Sequence, residues 1–123
     1  MVYITTSRFL KLLNKNMKIL SCLIIFFSLN IGAFATDLQI NIKIKNHQFE
    51  PNIVVAPANT SFVLIIENLD KTIEEFESDD LKKEKLIGAG KTVKIPVSAQ
   101  KAGQYKFYGD FHQKTAQGIL EIK

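Results

Sequence analysis

The chain has 123 residues, with 16 Lys and Arg against 12 Asp and Glu, one cysteine and no tryptophan, a length that suits one domain. Four of the basic residues, Arg8, Lys11, Lys15 and Lys18, fall in residues 1–35, which hold no acid, so the remainder carries twelve charges of each sign and is close to neutral. Without arginine, and without lysines interleaved with aromatics, that remainder lacks the basic footprint of a nucleic-acid binder, and the single Cys22 rules out an intramolecular disulfide framework.

Lys18 opens an apolar run over residues 19–29, and Ala33-Phe34-Ala35 follows as a small-x-small cleavage signal, the three-part plan of a secretory leader. The run is shorter than the ~20 residues of a spanning helix, and Ser28, Asn30 and Gly32 weaken it further. The expectation is therefore a cleaved signal peptide over residues 1–35, with Met17 an alternative start. An 88-residue domain over 36–123 would follow, periplasmic and without a membrane span. Cys22 would leave with the leader; Ile19-Leu20-Ser21 leads into the apolar run rather than closing it, which disfavours a lipidated cysteine.

In residues 38–45, Leu38, Ile40, Ile42 and Ile44 alternate with Gln39, Asn41, Lys43 and Lys45, the period of a strand with one wet face. Phe49 and Pro51 interrupt the alternation before residues 53–55 resume it, and Pro57-Ala58-Asn59 predicts a turn with Asn59 left-handed. The mostly apolar residues 61–68 suit a central strand buried on both faces. An acidic loop and short strand follow over 69–80, then a solvated, lysine-rich connection over 81–85. Strands are predicted at 92–97, 104–108 and 118–122. Short strands at short spacing predict an all-β antiparallel sandwich.

Several catalytic readings are weak. Gly88-Ala89-Gly90-Lys91-Thr92 looks like the tail of a phosphate-binding loop, but Lys85 stands where its first glycine belongs and the segment leads into a strand. There is no Gly-x-Ser-x-Gly elbow and no obvious serine partner for His47 or His112. Glu74 and Glu75 are adjacent, so on a strand they point to opposite faces and do not share a substrate. A metal site makes better use of the chain's two histidines: His112 follows a buried-looking strand and is flanked by Asp110. An imidazole with carboxylates is a ligand set for iron, copper(II), manganese or zinc.

Phe49-Glu50-Pro51, Val55-Ala56-Pro57-Ala58-Asn59-Thr60, the segment from Asn68 to Phe76, and Ala102-Gly103-Gln104-Tyr105-Lys106-Phe107 stand in that order along the chain. Together they resemble the pattern of the cupredoxins, the small blue-copper proteins. The resemblance implies a Greek-key β-sandwich with a metal-binding loop over residues 105–118. It places the first copper histidine on Glu74, the copper cysteine on Gly109, the second histidine on His112, and the axial methionine near Thr115 or Gln117. Without the thiolate, blue-copper electron transfer is excluded.

Glu74-Glu75-Phe76-Glu77-Ser78, Lys83-Glu84-Lys85, Gly109-Asp110-Phe111-His112 and Thr115-Ala116-Gln117-Gly118 resemble a narrower group. These are the cupredoxin-like periplasmic components of bacterial ferrous-iron uptake systems. That resemblance implies an iron or copper ion, a membrane iron permease or other periplasmic protein as partner, and a ferroxidase or a carrier role. The implied ligands are His112, Glu74 and Asp110, with His47 or Glu75 completing the shell. The alternatives are a metal-free interaction module and a copper(II) carrier.

Overall fold

The computed structural model describes residues 37–123; the predicted leader, Cys22 and the alternative start lie outside the described residues. Nine strands form two packed sheets: β1 (Leu38–Lys45), β2 (Gln48–Glu50), β4 (Phe62–Asn68) and β7 (Thr92–Val97) in one; β3 (Ile53–Ala56), β5 (Glu74–Ser78), β6 (Lys83–Ile87), β8 (Gly103–Gly109) and β9 (Gln117–Ile122) in the other. Spatial order is β2-β1-β4-β7 in the first sheet and β3-β9-β8-β5-β6 in the second. The one helical element among the described residues is a 3₁₀ turn, Asp110–His112.

The all-β sandwich is as predicted, but it is mixed rather than purely antiparallel. β1 pairs with β4 and β3 with β9 in parallel, because the chain changes sheets between the members of each pair. Two strands were not anticipated. β2 spans three residues, too few for alternation to register, and β6 replaces the solvated connection expected over 81–85. Lys83-Glu84-Lys85 reads as solvated because it forms an exposed sheet edge, where charge discourages pairing with another chain.

β4 is central as expected, flanked by β1 and β7, but it is not buried on both faces: Phe62, Leu64 and Ile66 are buried inward while Val63, Ile65 and Glu67 on the outer face stay half-covered. The core between the sheets contains a cluster of three aromatics. Phe49 meets Phe107 edge-on at 5.0 Å and Phe76 edge-on at 6.2 Å, and Phe76 and Phe107 are 5.4 Å apart. Each is essentially fully buried and contributes about 1.5–3 kcal/mol by leaving water. Gly118 lies opposite Phe107, and a Cβ there would come within 2.2 Å of the ring.

This cluster is also the floor of the candidate site. Strand side chains return to the same face every second residue. Glu74 therefore stands one step beyond Phe76 on β5, and Gly109 one step beyond Phe107 on β8, at the same end of the sandwich. His47 precedes Phe49 by two residues, in the turn that joins β1 to β2.

Candidate metal centre

Asn46 and His47 connect Lys45 to its partner Gln48 with left-handed backbones, φ 52° and 57°. This is the two-residue hairpin form that matches strand twist. A histidine in that region needs support, and Asp70 supplies it. Its Oδ1 accepts the Asn46 N–H at 2.8 Å and its Oδ2 the His47 N–H at 2.9 Å. Burial alone would raise the Asp70 carboxyl, but the two N–H donors and the charge of His47 and His112 more than reverse this and hold it below the usual carboxylate value. Asp70 is itself positioned by Asn68, whose Oδ1 accepts the Asp70 N–H. The fully buried Asn68 amide also donates to the carbonyls of Thr72 and Ile87.

Glu74 is 2% exposed. Such burial is tolerated only where a carboxylate is well paired, and every oxygen here has a partner. Oε1 accepts the backbone N–H groups of Glu75 and Phe111, each at 3.0 Å, and Oε2 lies 2.5 Å from Nδ1 of His112. The loop that carries His112 is closed on itself: Ala116 N–H donates to the His112 carbonyl and Gly109 N–H to the Ala116 carbonyl, each at 2.8 Å.

Gly109 explains how the carboxylate fits. Its backbone is ordinary extended chain, φ −93° and ψ 114°, so nothing in the conformation calls for glycine. The space does: a Cβ would lie 2.7 Å from Cδ of Glu74, 2.9 Å from its Oε1 and 2.7 Å from Cβ of Ala116. The residues therefore do not fit a blue-copper centre. No cysteine occurs in 37–123, and the volume a side chain at position 109 would occupy is filled by Glu74.

His47, Glu74 and His112 place donor atoms within 4.8 Å of one another. The two imidazoles stack with centroids 3.7 Å apart and planes 14° from parallel. Two imidazoles with a carboxylate are donors that iron, copper(II) and zinc accept. In the stacked arrangement the in-plane lone pairs run side by side rather than converging, so both rings reach one ion only after one of them turns. His47, 41% exposed and joined to Asp70 by a 3.5 Å contact, is less restrained than His112.

The structure does not bring the other two expected ligands to this group. Asp110 is exposed and its Oδ1 accepts from Gln113 Nε2 at 2.6 Å. Glu75 points to the opposite face of β5 from Glu74, where it gathers with Glu77 and Glu84. There Glu77 and Glu84 face each other across β5 and β6. Desolvation, then the charges of Glu84, Asp79, Glu75 and Asp110, raise the Glu77 carboxyl above its ordinary value. Asp70 was not among the expected site residues; the legible signal for it was the Asn68-x-Asp70 pair just before the Glu74 strand.

The sequence matches the family of the cupredoxin-like domain over residues 18–121. It is 41% identical to the uncharacterized protein RP394 of Rickettsia prowazekii (strain Madrid E), covering 89% of this chain and 94% of that one. In structure it resembles auracyanin A, a blue copper protein of Chloroflexus aurantiacus, with a TM-score of 0.62 and 15% identity over 72% of this chain and all of that one. It also resembles the metal-binding domain of the Cu(I)-exporting P-type ATPase CopA of Streptococcus pneumoniae D39, with a TM-score of 0.62 and 14% identity over 69% and 84% of the two chains. At such identities these two likenesses establish the fold, while the family match covers most of the chain: this protein belongs to the cupredoxin-like domain family.

Proposed function

We propose that this chain is a periplasmic metal-binding protein that takes up a single iron or copper ion at the His47–Glu74–His112 end of the sandwich and serves iron uptake. The observation that carries the reading is the convergence, at one end of the fold, of its only two histidines upon a buried carboxylate. His112 and His47 supply nitrogen, and Glu74 supplies negative charge in a site with no thiolate. When bound, the ion supplies the redox or carrier chemistry. The protein holds it by fixing His112 through Glu74, while the less restrained His47 turns from Asp70 to meet the ion. Oxygen and nitrogen donors favour the more oxidised form of such ions, which suits loss of one electron from each iron(II), four such losses with four protons reducing one dioxygen to two waters, before transfer to a membrane permease.

Anaerobic calorimetric titration of the purified protein with iron(II), and separately with copper(II), tests this. One ion per chain is expected, with binding lost in His112→Ala; oxygen consumption in the presence of iron(II) then separates an oxidase from a carrier. Failure of the native protein to bind either ion overturns the reading.

A second reading is a metal-free docking module for a permease or another periplasmic protein. It is favoured by the completed hydrogen bonding of Glu74 and by three exposed apolar residues, Leu69, Ile73 and Phe111, each adjacent in sequence to Asp70, Glu74 or His112. The same titration decides between the two.

A further inference from the structure

Resting on the metal-binding reading, we infer that both histidines offer Nε2 to the ion, and that Glu74 and Asp70 are positioning residues rather than ligands. In each imidazole Nδ1 is the atom turned to a carboxylate: His112 Nδ1 lies 2.5 Å from Glu74 Oε2, and His47 Nδ1 lies 3.5 Å from Asp70 Oδ2. Glu74 already accepts two backbone N–H groups on its other oxygen. We take Glu74 as the carboxylate, which only accepts, so that the short contact is the Nδ1–H of His112 donating to Oε2.

The tautomer follows from that bond. With the ring proton on Nδ1, the lone pair of a neutral imidazole is on Nε2. Neither Nε2 takes part in a hydrogen bond among the described residues, and no buried side-chain nitrogen or oxygen there lacks a partner, so both Nε2 atoms reach solvent. Behind His112 the Glu74 carboxylate fixes ring orientation and strengthens the donor at Nε2, whereas His47, held by the looser Asp70 contact, is the ring that turns. Glu74 performs this service from inside the volume left open by Gly109. Three of its about four lone-pair directions are already taken, and at 2% exposed it gives an ion little access to the fourth.

Two-dimensional ¹H–¹⁵N spectroscopy of the ¹⁵N-histidine-labelled protein, at a pH where the rings are neutral, reads the tautomer directly. The metal-free protein is expected to show Nδ1–H for His112, and zinc(II), used as a diamagnetic probe, is expected to shift the Nε2 resonances of both rings. Glu74→Gln sharpens the test. Its amide oxygen accepts the two backbone N–H groups while its NH₂ donates to Nδ1, which moves the His112 proton to Nε2 and lowers zinc affinity about 10–100-fold.

An Nε2–H tautomer in the metal-free wild type, or a zinc-dependent shift at Nδ1 of His112, overturns the inference while leaving the metal-binding reading intact. No zinc-dependent shift in either ring overturns both. The wild-type spectra decide the matter even if Glu74→Gln fails to fold.

Discussion

Gly109→Ala is the most informative single substitution in this domain, because it adds one methyl group where no backbone strain is relieved or introduced. The new Cβ would sit 2.7 Å from Glu74 Cδ and 2.7 Å from Ala116 Cβ, so one of them must give way. Ala116 is fully buried and its backbone is bonded in both directions to the loop. Glu74 is held by two N–H groups and by His112. Overpacking typically costs about 1–3 kcal/mol, and displacing a carboxylate from one charge-assisted bond adds about 1.5–3 kcal/mol. A loss of about 2.5–6 kcal/mol is expected, which at about 4–8 °C per kcal/mol for a domain of this size lowers Tm by about 10 °C or more.

Urea denaturation of wild type, Gly109→Ala, Glu74→Ala and the double variant closes a cycle. If Glu74 is what fills the space, the alanine at 109 should cost about 1 kcal/mol or more less when Glu74 is already truncated; the residual cost is the Ala116 contact. A Gly109→Ala variant within about 0.5 kcal/mol of wild type, or strict additivity in the cycle, refutes the claim that this glycine exists to house the carboxylate.

Two pH-dependent outcomes follow from the carboxyls on either side of the site. The Glu77 carboxyl is raised in the folded protein by desolvation and by Glu84, Asp79, Glu75 and Asp110. Folding therefore carries no penalty from it below the unfolded value of about 4.3 and the full penalty above the folded one. Glu77→Gln should raise Tm at pH 7, with the gain vanishing below about pH 4; an equal gain at both pH values in paired melts would rule out the electrostatic cause. Asp70 has the opposite sign. Its lowered value contributes stability that is present above about 3.9 and is lost as pH falls through the folded value. Asp70→Asn should lower Tm at pH 7 and make the loss of stability on acidification shallower, and an acid limb as steep as that of wild type would contradict the assignment.

Much of the sandwich was legible because its signals are local. The alternation in 38–45, the apolar run ending at Asn68, and the left-handed Asn59, observed at φ 56°, depend on side chains judged against near neighbours. The parallel pairings of β1 with β4 and of β3 with β9 were not legible, since a strand's own pattern is silent about the direction of its partner. β6 was missed for a related reason: Lys83-Glu84-Lys85 forms an edge, and edges look like loops when read for hydrophobicity. At the site, Glu74 was separable from Glu75 by strand alternation alone, and the observed faces follow it. The meeting of His47 with His112 was a different matter. These residues are 65 positions apart, by their numbers, and come together only because the β1–β2 turn and the loop after β8 end at the same pole.

The position of Glu74 also changes what its substitution means. Aligned residue by residue with the cupredoxin pattern, it stands for a histidine, and Gly109 for a cysteine, as if two ligands had been exchanged independently. In space the two changes are one: the Glu74 carboxylate enters the volume that any side chain at 109 would claim, and glycine is the residue that permits it. The negative charge of the site is thus buried carboxylate, and its hydrogen bonds run to the backbone of Glu75 and Phe111 and to the imidazole of His112. A cysteine at 109 alone would meet the same obstruction as alanine, with a larger side chain. Rebuilding a thiolate site would require truncating Glu74 as well, which would deprive His112 of the group that orients it. The carboxylate, the glycine and the histidine therefore form one packing unit, in which no member can be changed without a cost carried by the other two.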